Sequence, residues 1–151
     1  MKQKEHYSEA LAYLRDYCLR HGRLMHFSAG DIYETEGAAA RLFGYIESGS
    51  FRYLVRNYEG GESTVETVAA GDLVGNYPYC LDGDTAPTTI VAAQPAIVHV
   101  VSGRQLSEHF FQSREGVEVA MQYLRYRFAC LHQLRRQYYF THRPVDNDID
   151  E

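Results

Sequence analysis

"YIESGSFRYLVRNYEGGESTVETVAAGDLVGN", residues 45–76, is the stretch on which the fold turns. Two β-type runs, "FRYLV" and "STVETV", flank "NYEGG", where glycine supplies the positive φ that a hairpin turn demands. The same texture continues on both sides. "RLMHF", "DIYETEG" and "LFGYIESG" lead up to it, and "TTIVAAQP" and "AIVHVVS" follow. Turn signals spaced by about ten residues are the pattern of all-β sandwiches and barrels. Glycine inside a strand packs nothing and costs entropy, so glycines at this spacing mark corners where a sheet bends.

Helical patterns flank this β region. Residues 8–20 read as a helix, with Ser8 as N-cap, Leu11, Leu14 and Cys18 on one face, and Gly22 as the stop. Ser102 caps a short helix over "GRQLSEHFF". The longest periodic segment is "SREGVEVAMQYLRYRFACLHQLRRQYYF", residues 113–140. Val117, Met121, Leu124, Phe128, Leu131 and Tyr138 form a heptad seam broken at Arg135, and Ala120, Tyr123, Arg127 and Leu134 give a second, partly apolar face. The seam Val117, Met121, Leu124, Phe128 and Leu131 can pack on the β region or against its copy in a second chain; because only one face can touch the β region, a dimer is expected over a monomer whose helix folds wholly onto it. The expected order is an N-terminal helical region (1–22), a β-roll (23–112), a long dimerisation helix (113–140) and a hinge or tail (141–151).

Composition agrees with one globular domain of 151 residues, 45% hydrophobic and 23% charged. Thirteen Tyr and no Trp suit half-buried positions with wet hydroxyls. Cys18, Cys80 and Cys130 are odd in number and far apart, as expected of reduced thiols in a cytoplasmic protein. The N-terminal residues hold no unbroken apolar run, so neither a signal peptide nor a membrane anchor is expected there. Charge is uneven. Residues 31–110 carry four Arg and no Lys against eleven acids, and residues 113–143 carry six Arg against two Glu. An acidic middle is unsuited to nucleic acid, whose binding rests on neutralised phosphates.

"FSAGDIYETEG", "YIESGSFRYLV" and "VAAGDLVGN", in this order and followed by a long heptad helix, resemble the cyclic-nucleotide-binding domain of Crp/Fnr-family bacterial transcription regulators. The resemblance spans roughly residues 8–140 and places Gly37 and Gly49 at the family's strand corners. It implies a mostly β fold with flanking helices: a double-stranded β-helix, or jelly roll, followed by the dimerisation helix. It also implies a homodimer that reaches DNA only through a C-terminal helix-turn-helix domain. Too few residues follow Phe140 for such a domain, so a piece of a longer protein, cut at the "RPVDND" hinge, is expected, the alternative being a natural stand-alone sensor domain.

In the family a phosphate-binding cassette reads G-E-x-x-G-E and, some ten residues on, R-S or R-T. By resemblance the ligand-facing residues here are Gly71, Asp72, Leu73, Gly75, Asn76, Tyr77, Ala86, Pro87 and Thr88. Asn76 replaces the Glu that binds a ribose hydroxyl, and Ala86–Pro87 stand where the family places R-S. No Arg, Lys or His occurs between Gly71 and Gln94. Losing the bidentate cation contact removes a few kcal/mol, about a hundredfold in affinity. Arg127 and Arg125 on the long helix are candidates to replace it, the alternative being that they pair with acids on the roll. High-affinity cyclic AMP binding in the usual mode is therefore not expected, and the ligand in the cassette is unidentified.

Other chemistries are weakly supported. A cupin-like metal enzyme needs His and carboxylates converging from neighbouring strands, and only His26 and His99 lie in strand-like runs. An iron–sulfur sensor needs four cysteine ligands. No certain cofactor and no catalytic constellation follow from the residues. Two readings remain: a ligand-sensing dimerisation domain, and a ligand-free dimer scaffold of the same fold.

Overall fold

The computed structural model describes the backbone of residues 2–142 and the side chains of residues 4–139. Two helices open the chain, α1 (Lys2–His6) and α2 (Ser8–His21). Eight strands follow: β1 (Arg23–Phe27), β2 (Ile32–Glu34), β3 (Leu42–Ser48), β4 (Ser50–Arg56), β5 (Glu62–Ala69), β6 (Leu73–Val74), β7 (Thr89–Ala92) and β8 (Ala96–Ser102). A 3-10 turn (Tyr79–Leu81) lies between β6 and β7, and α3 (Gly103–Phe110) and α4 (Arg114–His142) close the described chain. The expected hinge from residue 143 on lies outside the described residues.

The strands form two four-stranded antiparallel sheets, ordered β1-β8-β3-β6 and β2-β7-β4-β5. The β4–β5 hairpin closes on "NYEGG", with the Asn57 N–H donating to Gly61 O at 2.8 Å and Gly60 at φ +89°. Gly49, between β3 and β4, has φ +91°, and a Cβ there would come within 2.4 Å of Pro95 O. The turn excludes any other residue.

Alternation along the strands sets two cores. Phe27, Ile46, Phe51, Ile90 and Val98 fill the space between the sheets. Leu14, Cys18, Phe43, Leu106, Phe110 and Tyr123 join the outer face of the first sheet to the helices. Ser102 caps α3, its hydroxyl accepting from the Gln105 N–H at 3.0 Å. Ser8 does not cap α2: the cap position is Tyr7, without a side-chain bond, because α1 already brings the chain in as helix. Gly22 does end α2, though not by a left-handed turn. Its φ is −80°, and glycine is needed because a Cβ would meet Cys18 O at 2.4 Å. No described helix is long and apolar enough to cross a membrane.

Candidate functional site

The predicted site residues sit in three different environments. Gly71, Asp72, Leu73 and Arg127 border a cleft between the N-terminal helices, the β5–β6 corner and α4. Asn76 and Thr88 lie in a buried polar network at the inner end of the cassette. Tyr77 belongs to the helical core, its hydroxyl donating to Ala120 O at 2.8 Å. Pro87 is exposed, whereas Ala86 is buried.

The inner network is built around a carboxylate that sequence reasoning did not single out. Glu34, 7% exposed, accepts from the Arg41 and Leu42 N–H groups at 2.5 and 2.8 Å through Oε2. Its Oε1 accepts from Asn76 Nδ2 at 3.1 Å. That same amide donates to Thr88 O at 3.2 Å, and Thr88 Oγ1 donates back to Asn76 Oδ1 at 2.5 Å. Both Asn76 amide hydrogens and its carbonyl are thus engaged, and Glu34 holds three donors without a cation. Hydrogen bonding of this kind is what lets a buried polar group persist.

Several backbone donors of the cassette are engaged in the same way. The Gly75 N–H donates to the Tyr53 hydroxyl at 3.0 Å, and that hydroxyl donates to Gly75 O at 3.3 Å. Gly75 has φ +153°, and a Cβ there would lie 2.8 Å from Leu42 O. The Cys80, Leu81, Asp84 and Ala86 N–H groups donate to Asn76, Pro78, Tyr79 and Ala38 carbonyls at 2.7–3.0 Å. The family's short helix is here one 3-10 turn of three residues, too short to aim a row of free N–H groups at an anion. Tyr33, whose hydroxyl donates to Val74 O at 3.3 Å, and Tyr53 fill the interior beside it.

Arg127, the α4 cation expected to serve the cassette, is held by Glu66 of β5. Nη1 and Nη2 donate to Oε2 and Oε1 at 2.8 and 2.6 Å, with side-chain exposures of 13% and 10%. The guanidinium also lies 5.8 Å from the Tyr53 ring centroid, and Tyr53 is the cross-strand partner of Glu66. Burial works against the Arg127 charge, but the Glu66 hydrogen bonds, joined by the electrostatic influence of Tyr123, Tyr53 and Glu66, together outweigh it and raise its pKa well above the usual arginine value. Burial pushes the Tyr53 and Tyr123 hydroxyls well up, so both are protonated neutral donors. At the outer edge Asp72 pairs with Lys4 at 2.5 Å and accepts from the Ala69 N–H at 2.8 Å.

On α4 the heptad residues divide. Val119 and Tyr123 are buried against the roll and helices, and Leu124 is partly buried there. Val117, Met121, Phe128 and Leu131 remain 39–56% exposed along the outward face. His26 and His99 lie on β1 and β8; His99 Nε2 contacts Glu47 at 2.7 Å. Among the described residues no group of three or more His, Cys, Asp or Glu converges as a metal site.

A family model, the cyclic nucleotide-binding domain, matches residues 24–113. The chain belongs to that family. The cyclic nucleotide-binding domain seen here shares its fold with FixK2 from Bradyrhizobium japonicum, at TM-score 0.68 and 15% identity over 81% of this chain and 58% of that one. It is also similar to CLP of Xanthomonas campestris, a c-di-GMP responsive global regulator, at TM-score 0.65 and 16% identity, covering 87% and 65%. A cyclic nucleotide-binding domain from Methylobacillus flagellatus KT matches at TM-score 0.63 and 17% identity, covering 98% and 87%. The chain thus spans less than two thirds of the FixK2 and CLP chains. No curated protein matches it. The expected jelly roll with its long C-terminal helix, of the type found in Crp/Fnr-family regulators, is the fold observed.

Proposed function

We propose that this domain is the sensory and dimerisation module of a Crp/Fnr-type transcription regulator, and that it does not take cyclic AMP in the family's usual mode. The observation that carries this is the state of the cassette: the Asn76 side chain and the Gly75 N–H are satisfied by Glu34, Thr88 and Tyr53, and Arg127 is committed to Glu66. A cyclic phosphate entering there would displace these bonds and lie close to an internal carboxylate. Burying an anion without a cationic partner costs about several kcal/mol, which backbone dipoles only partly offset. Arg127 could be recruited only by leaving Glu66 buried and unpaired.

Dimerisation is supported by the outward row Val117, Met121, Phe128 and Leu131, whose spacing suits packing against the same helix of a second copy. DNA contact would come from a helix-turn-helix domain beyond the hinge, and no catalysis is assigned. Isothermal titration calorimetry with cyclic AMP and cyclic GMP tests the cassette reading. The expected result is no binding tighter than about 100 μM; a submicromolar Kd for either nucleotide overturns it. The filled cassette also favours the second reading, a dimer scaffold whose cassette takes no small molecule.

A further inference from the structure

The cleft bordered by the outer cassette residues Gly71, Asp72 and Leu73 has the composition of a binding site in its own right. It encloses about 510 Å³ between α1, α2, the β5–β6 corner and the outer half of α4. That is ample for a ligand of metabolite size. Its charged groups are three cations, Lys4, Arg15 and Arg127, and two carboxylates, Glu66 and Asp72. Glu66 is matched by Arg127 and Asp72 by Lys4. Arg15 is left as the surplus positive charge of the cleft; its own ion-pair contact is the exposed neighbour Asp16, at 3.1 Å. Lys4 is half exposed and holds Asp72 from the rim, so its ammonium has room for a second acceptor. Leu11, Ala12, Leu73 and Leu134 supply an apolar surface, and Tyr126 a ring wall.

We infer that this outer cleft binds an amphipathic organic monoanion, a carboxylate with an apolar or aryl body, with Arg15 and Lys4 taking the carboxylate and the body lying against the α2–α4 wall. Two cationic side chains at the rim, each held only by an exposed or part-exposed carboxylate, suit a single carboxylate and are too few for a phosphodiester bearing further phosphates. The apolar wall gives the body a reason to leave water, which a bare inorganic anion lacks. The inference rests on the sensory reading for its consequence, because the walls come from the elements whose relative placement a regulator must convey. A ligand preferring one arrangement of α2 and α4 shifts their equilibrium by its differential affinity.

The test uses dodecanoate, dodecanol and decanoate in competition with 1-anilinonaphthalene-8-sulfonate fluorescence on the whole chain. The expected result is saturable, one-per-chain displacement, with dodecanoate at least about fivefold tighter than dodecanol, the size of a partly exposed charge contact. Arg15→Gln, on an exposed helix position, should erase that preference, and Ala12→Trp, which fills the cleft, should abolish displacement. Arg125→Gln, outside the cleft, should change nothing. Equal binding of the alcohol and the acid, an unaltered preference in Arg15→Gln, or displacement surviving Ala12→Trp overturns the inference. Sedimentation of the same samples keeps the two readings apart: a dimer without dodecanoate binding sinks only the cleft, whereas a monomer sinks the dimerisation module.

Discussion

Arg127 and Glu66 illustrate how one pair of residues decides what a pocket can hold. Both side chains are nearly buried and bonded twice. Removing one member leaves an uncompensated charge, so Arg127→Ala is expected to cost about 3–5 kcal/mol in urea unfolding, whereas Arg127→Met with Glu66→Leu should restore most of it. Equal losses in the single and double variants would show the pair to be incidental. The missing cation of the cassette was legible in the sequence, because absence over a contiguous stretch needs no structure to see. What took its place was not. Glu34 and Asn76 are 42 residues apart, and Arg127 and Glu66 are 61. Strand periodicity says which side chains share a face but not which faces meet. Strict alternation in "IYE" would put Glu34 on the exposed face with Ile32, and only a register irregularity between the two, invisible in the sequence, turns it inward.

At the level of elements, α4 was read almost to its ends, since a heptad pattern over 29 residues is a strong local signal. The pattern marked two faces; packing shows Val119 and Tyr123 turned inward and Phe128 turned out. Phe128→Glu should leave the fold intact and convert a dimer to a monomer in analytical ultracentrifugation, and an unchanged sedimentation coefficient would argue against the seam. The start of α2 was misread because Ser8 looks like a cap only if the chain before it is not helical, and "KQKEH" is. Gly22 was named for the right boundary and the wrong physical reason. Close approach to Cys18 and to β8, invisible in local sequence, is what forbids a side chain there.

For the whole molecule, burial of many weak acids sets the response to alkali. Burial pushes the Cys18 thiol up to about 12 from 9.0, and raises that of Cys80 from the same ordinary value. The hydroxyls of Tyr33, Tyr53, Tyr77 and Tyr123 are also raised, from 10.0. In each case the folded chain keeps a proton that the unfolded chain releases. Stability is therefore full below about pH 9 and falls as pH rises through 9–12, by about 1.4 kcal/mol per pH unit for each such group. Between pH 9 and 10 the thiols carry the slope, Cys18 and Cys80 as the buried pair and Cys130, also raised by burial, beside them. Urea unfolding of Cys18→Ala/Cys80→Ala should be flatter than wild type in that window, and an unchanged slope would place the loss elsewhere.

The grip of Glu66 on Arg127 also has a mechanical side. Near its start α4 is pressed into the helical core through Val119 and Tyr123, and further on the largely buried Arg127 guanidinium ties it to β5. From there to His142 the rod runs on for about 22 Å at 1.5 Å per residue. It is a cantilever clamped to an edge strand. By simple trigonometry, a tilt of about 5° at the clamp carries the far end of the helix sideways by about 2 Å. A small rearrangement around β5 is thereby amplified where the next part of a longer chain would begin.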